Sequence, residues 1–165
     1  EAIKIIVRDE CIIKVNIVGS AKTAGFLERA EQFVRDNGLS DIVRFLGWRK
    51  DILEIIQCSD IYILPSHSEG VPRSIVESMA LQKPVISTRV GGVPDLVIDG
   101  ETGILVKLGD ITALAAAMRK LCDNMQLRLD MGKKAKKLAF SQYSIQSHAI
   151  FLRKIYQQME VNNGS

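Results

Sequence analysis

Asp60-Ile61-Tyr62-Ile63-Leu64-Pro65-Ser66-His67-Ser68-Glu69-Gly70-Val71-Pro72-Arg73-Ser74-Ile75-Val76-Glu77-Ser78-Met79-Ala80 runs from an apolar stretch, through a polar turn, into a helical pattern. Residues 61–64 have no in–out alternation, which reads as a strand buried on both faces. Pro72 suits the first helical turn, where its missing N–H leaves no bond unmade. The free N–H groups of that turn then point beyond the carboxyl end of the strand and favour an anion.

Working outward, the same alternation repeats. Strands are expected at residues 12–18, 43–46, 61–64, 84–87 and 103–106, and helices at 24–37, 51–58, 72–81, 94–98 and 111–124. Strand followed by helix, several times over, predicts an α/β fold: a Rossmann-like parallel sheet of about five central strands with helices on both faces. Beyond residue 124 the pattern is helix only, at 126–140 and 145–159, so two further helices are expected to cover the sheet or another domain. The expected organisation is a sheet domain over 1–124, C-terminal helices of the same domain over 125–160, and a frayed tail over 161–165.

The 165 residues are 47% hydrophobic and 25% charged, enough for one domain with a real core. A net charge of +3 with scattered basic residues gives no reason to expect a nucleic-acid partner. The densest basic run, Lys133-Lys134-Ala135-Lys136-Lys137, reads as a solvated helix face, with contact to an anionic membrane or partner as the alternative. Cys11, Cys58 and Cys122 form no C-x-x-C pair, and an odd count in a cysteine-poor chain suits reduced thiols in the cytoplasm. No cluster has metal-ligand spacing, so no metal and no cofactor are expected. The apolar runs fall far short of the roughly 20 residues of a membrane span. Residues 1–9 are an amphipathic pattern broken by charge rather than a signal peptide, and the chain is expected to begin part-way along a helix of a larger protein.

In an open parallel sheet, ligands bind where strands lead into helices. Four such loops carry polar or glycine-rich chemistry: Gly19-Ser20-Ala21-Lys22, Gly47-Trp48-Arg49-Lys50, residues 65–73, and Thr88-Arg89-Val90-Gly91-Gly92. Gly91-Gly92 permits either close backbone approach or a plain tight turn before Pro94. Ser74-Ile75-Val76-Glu77 matches a capping box, although Pro72 places the helix start earlier. Outside that role, Glu69 and Glu77 are carboxylates able to accept hydrogen bonds from sugar hydroxyls, Glu77 from a vicinal pair such as those of ribose.

Residues 15–123 resemble the C-terminal, nucleotide-sugar-binding domain of glycosyltransferase family four (group 1), retaining enzymes of the two-domain GT-B fold. Pro65-Ser66, Glu69-Gly70-Val71-Pro72-Arg73, Glu77-Ser78-Met79-Ala80, Lys83-Pro84-Val85-Ile86-Ser87-Thr88, Gly91-Gly92-Val93-Pro94-Asp95 and Asp99-Gly100-Glu101-Thr102-Gly103-Ile104-Leu105-Val106 carry the resemblance, in order. It implies a catalytic role for Glu69 beside the transferred sugar, and a hold on the donor ribose by Glu77. Gly70 and Val71 would lie along the sugar. Arg73 and the backbone N–H groups of Ser74 and Ile75 would face the diphosphate, and Gly19, Arg49 and Lys50 would approach the nucleotide. Trp48 reads either as a base-stacking residue or as packing in the core or on an absent domain.

The family's usual first strand, with its arginine and lysine for the diphosphate, is not in this chain, nor is the N-terminal acceptor-binding domain. Val71-Pro72-Arg73 replaces the commoner Phe-Gly-Leu, Ala21 replaces a frequent glycine, and Asp95 replaces glutamate. The implied function is therefore donor binding in a hexosyltransferase moving a sugar from a UDP- or GDP-sugar to a sugar or lipid-linked acceptor. Polysaccharide or glycoconjugate biosynthesis is the implied setting, and the isolated chain is expected to be inactive. The expected location is cytoplasmic, with peripheral contact at the inner membrane face as an option for the full-length protein. A nucleotide-sugar epimerase of the same architecture and a non-catalytic nucleotide-binding module are the alternatives. A dinucleotide dehydrogenase is disfavoured, because no G-x-G-x-x-G follows a strand. His67 and His148 form no nucleophile–base pair with neighbouring residues.

Overall fold

The computed structural model describes residues 1–8, 12–20, 24–147, 149–150 and 153. In chain order the elements are α1 (Ala2–Arg8), β1 (Val15–Val18), α2 (Phe26–Asp36), β2 (Val43–Gly47), α3 (Ile52–Gln57), β3 (Tyr62–Leu64), α4 (Arg73–Ala80), β4 (Val85–Thr88), α5 (Val93–Leu96), β5 (Gly103–Val106), α6 (Ile111–Asp123) and α7 (Met125–Gln142). Residues 145–147, 149–150 and 153 are also helical. The rest of the helix expected over 145–159 lies outside the described residues, as do the tail, Cys11, Ala21, Lys22 and His148.

Every strand pairing is parallel, which puts all the strand-to-helix loops of each sheet at one end. β4 lies between β3 and β5, with Ile86 opposite Ile63 and Ile104. Its period of two sends alternate residues into two cores. Ile86 and Val106 meet Ala2 and Ile6 of α1 and Ala117, Met118 and Leu121 of α6. Val85 and Leu105 meet Ile75 and Met79 of α4, Val93 and Leu96 of α5, and Ala135 and Ala139 of α7. Helices thus cover both faces of β3–β5.

Among the described residues the five parallel strands fall into two ladders: β1 and β2 form a separate pair, and no ladder joins β1 to β3. Nor is β1 a central, buried strand. Ile17 is 41% exposed, and the expected start of the strand at Ile12 is open to solvent. Its neighbour α2 buries no residue despite its amphipathic sequence. An apolar strand stays exposed when nothing pairs with its second edge or covers its faces.

α4 forms because Ile75 and Met79, four residues apart, bring two fully buried side chains onto one face. Ser78 is buried on that face too, and its hydroxyl is satisfied by the Ser74 carbonyl at 2.6 Å. The helix ends in a turn where Gln82 takes φ 64° and the Lys83 N–H donates to the Ser78 carbonyl at 2.9 Å. α7 continues the same body, burying Met131, Gly132, Ala135 and Ala139. Of the two placements expected for the C-terminal helices, α7 takes the sheet's own outer layer.

Candidate functional site

The chain from Leu64 to Arg73 is held from below by β4. The Ser87 hydroxyl donates to the Leu64 carbonyl at 2.8 Å, and the Thr88 hydroxyl to the Ser66 carbonyl at 2.5 Å. Both side chains are buried, so these bonds replace water that neither hydroxyl can reach.

A second clamp comes from Gly91-Gly92. The Gly92 N–H donates to the Gly70 carbonyl at 2.9 Å. A Cβ on Gly91 would stand 1.7 Å from the Glu69 carbonyl oxygen, and one on Gly92 2.5 Å from that of Gly70. Gly91 also takes φ 51°. Of the two readings of this pair, close backbone approach is the one found, and what it approaches is the Glu69–Gly70 backbone.

The loop so fixed delivers Glu69 half-buried, with Gly70 and Val71 open to solvent. Pro72 is buried and stands at the N-cap of α4 in extended conformation, one residue before the helical turn expected for it. No side chain caps α4, so Ser74 and Glu77 do not form the capping box. The Ile75 N–H donates to the Pro72 carbonyl at 3.1 Å, and the Ile75 side chain is fully buried. The Ile75 side chain is a core residue, and its N–H is already engaged within the first turn. The open donors at the helix start belong to Arg73, which is exposed, and Ser74, which is half-buried.

Glu77 lies one turn along α4, half-buried like Glu69. Neither carboxylate has an ion pair or hydrogen bond among the described residues. Tyr62 ties the two together. Burial pushes its phenol above the ordinary tyrosine value, a hydrogen bond with the Ser74 side chain pulls it back in part, and the negative charges of Glu69 and Glu77 add to the upward push. Two carboxylates and the two open N–H donors of the helix start form a set that can bind hydroxyls and an anion side by side.

Gly19, Arg49 and Lys50 form a second group. The Gly19 N–H donates to the Gly47 carbonyl at 2.8 Å, which joins the ends of β1 and β2. The Arg49 guanidinium makes a two-point pair with Asp51, Nε to Oδ1 at 2.8 Å and Nη2 to Oδ2 at 2.6 Å. That hydrogen bonding raises Arg49 and lowers Asp51 from their ordinary values. Lys50 is exposed, and Trp48, at 69% exposure, is no part of this chain's core. No ladder brings this group against the Glu69–Glu77 group.

Sequence reading placed Thr88 in a ligand loop but missed Tyr62 and Ser87 as residues that build the site. The signal for Ser87 and Thr88 is polarity at the carboxyl end of an otherwise apolar strand, whereas Tyr62 opens β3 and carries no such signal. His67 is exposed. Among the described residues no group of three or more His, Cys, Asp or Glu side chains could hold a metal ion. An open cleft of about 430 Å³ between β5 and α6 is lined by Lys107, Asp110, Ala113 and Lys120 and shares no residue with the site.

Residues 1–124 match the sequence profile of the glycosyl transferases group 1. The chain belongs to that family. It is 38% identical over 129 residues to the D-inositol 3-phosphate glycosyltransferase of Corynebacterium kroppenstedtii, covering 77% of the chain and 28% of that protein. It is 34% identical over 112 residues to the N-acetyl-alpha-D-glucosaminyl L-malate synthase of Bacillus anthracis, covering 68% and 29%. Among solved structures, Anabaena Alr3699/HepE in complex with UDP superposes with a TM-score of 0.82 at 25% identity, over 98% of the chain and 45% of that protein. The same protein in complex with UDP-glucose gives 0.81 at 25% identity. The chain spans less than a third of the length of these two curated relatives. The likeness bears out the α/β, Rossmann-like expectation and its place in one half of a GT-B architecture.

Proposed function

We propose that the chain is the donor-binding half of a retaining glycosyltransferase that moves a sugar from a nucleoside-diphosphate sugar to an acceptor hydroxyl. The observation that carries the reading is the pair Glu69 and Glu77, half-buried and unpaired, on either side of the uncapped start of α4. Glu77 accepts the two ribose hydroxyls, the Arg73 and Ser74 N–H groups meet the diphosphate, and Glu69 lies beside the transferred sugar. Among nucleotides, UDP is favoured because the HepE structures contain UDP and UDP-glucose. Departure of the diphosphate with retained configuration depends on dipoles and cations at the leaving group more than on a side-chain base.

The chain alone has one helix N-terminus for the diphosphate, worth about 0.3–1 kcal/mol exposed and up to ~2 kcal/mol partly buried. Ribose bonds and partial base burial bring the total to about −4 kcal/mol, a Kd near ~1 mM. Transfer then belongs to a longer protein that adds an acceptor domain and cations for the diphosphate. Assaying that protein for donor consumption with and without acceptor hydroxyl tests the reading. Acceptor-dependent release of nucleoside diphosphate, lost in Glu69→Ala and Glu77→Ala, is expected. Donor isomerisation without acceptor would replace transferase with epimerase.

The sheet domain over 1–124 is completed, in this reading, by a strand preceding α1 that pairs with β1 on one edge and β3 on the other. The doubly wound order 3-2-1-4-5-6 has its first strand in that slot, with β2 and β1 as strands 3 and 2 and β3–β5 as 4–6. The missing β1–β3 ladder and the exposed Ile17 support it.

A further inference from the structure

The largest concentration of like charge outside the site lies on α7. Its inner face buries Met131, Gly132, Ala135 and Ala139, and a broad outer side is exposed. Along one edge of the exposed side, about 115° round the helix from the buried residues, Leu129, Lys133, Lys136 and Phe140 follow the i, i+4, i+7, i+11 spacing. At 100° per residue they fall within about 60° of one another, along about 16 Å of helix. Met125 extends the stripe by one turn, and Lys137 flanks it.

The stripe mixes two chemistries. Met125, Leu129 and Phe140 are 65%, 40% and 58% exposed, and Lys133, Lys134, Lys136 and Lys137 are all exposed. The one acidic side chain within α7 before its last turn, Asp130, reaches Lys133 only at 3.9 Å, with both groups more than half open to water. A solvated face would need no phenylalanine and leucine between its lysines. A core face would need no lysines.

We propose that this face of α7 docks on an anionic lipid surface, with Leu129 and Phe140 entering the headgroup layer and Lys133, Lys136 and Lys137 meeting the lipid phosphates. Apolar side chains interleaved with cations on one stripe match the layering of a bilayer interface, where acyl carbon lies beneath negative charge. The complementarity is local, because the whole chain carries a net charge of only +3 and four of its lysines sit within five residues here. Such docking would leave the loops around Glu69 to be reached separately, so its failure and that of the nucleotide reading are distinguishable.

Flotation of the purified chain with vesicles tests the proposal. Phosphatidylcholine vesicles containing phosphatidylglycerol are expected to carry the chain, phosphatidylcholine alone to leave it behind, and high salt to release it. Lys133→Glu, Lys136→Glu and Lys137→Glu together are expected to lower partitioning on the order of a hundredfold. Phe140→Ser should lower it several-fold with unchanged helical circular dichroism. Lys14→Glu, Arg44→Glu and Lys107→Glu together, an equal charge change on exposed residues elsewhere, should leave binding in place. Equal binding to both vesicle types, equal loss in the two triple variants, or binding to soluble polyglutamate with none to the anionic vesicles would overturn it, the last in favour of an acidic protein partner. UDP-induced amide shifts in the lysine variant report the donor site independently.

Discussion

Glu77 and Glu69 are expected to respond differently to neutralisation. Charge-assisted bonds to ribose hydroxyls are worth about 1.5–3 kcal/mol, so Glu77→Gln should weaken UDP binding about tenfold by calorimetry or NMR titration. Glu69→Gln should leave UDP binding within about twofold and alter binding of UDP-sugar alone. Gly92→Ala adds a methyl 2.5 Å from the Gly70 carbonyl at an ordinary φ of −82°, so its effect is purely steric. It should displace the loop, move the Glu69 and Gly70 amide resonances, and weaken binding without touching a ligand. The glutamate pair was legible in the sequence because spacing and a proline-started helix are local features. The choice between turn and clamp at Gly91-Gly92 was not, since the atoms that decide it lie more than twenty residues away. Tyr62 read as one more strand residue for the same reason: its partners come from the next loop and helix.

At the scale of elements, α7 is tied to α5 by the Tyr143 hydroxyl, which donates to the Asp95 carbonyl at 2.6 Å. Burial raises the Tyr143 phenol above its ordinary value, with the charge of Asp95 adding to the effect, and Tyr62 is raised as well. A group raised in the folded state holds its proton after the unfolded chain has lost it. The stabilisation is fully present below the unfolded value of ~10 and is lost as pH rises through the folded one. Melting temperature should therefore fall as pH rises above about 10, and fall less steeply in Tyr62→Phe and Tyr143→Phe; an unchanged slope in both would contradict the burial account. Met79→Ala, which empties a fully buried position between α4 and β4, should cost about 2–5 kcal/mol in denaturant unfolding. Helices and strands of the β3–β5 body were legible because each is backed by packing on both sides. β1 and α2 have the right patterns but not the expected burial, since pattern reports what a segment could cover and not whether a partner is there.

The whole molecule is a well-packed three-stranded body carrying the glutamate loop and a two-stranded body carrying Gly19, Arg49 and Lys50. If one strand before α1 joins them, adding upstream sequence from the parent protein should slow amide exchange in both β1 and β3, whereas slowing in neither would refute the slot. The split also explains why donor affinity should be low in this chain: the two groups of candidate contacts are not held against each other by a ladder. A titration of the isotope-labelled 165-residue chain with UDP, followed by amide NMR, decides whether the start of α4 holds a nucleotide. The account predicts saturable shifts with a Kd near ~1 mM, first at Arg73, Ser74 and Glu77 and then at Arg49. No shift at these amides at several times that concentration, or shifts confined to α7 and the helical residues after it, would contradict it.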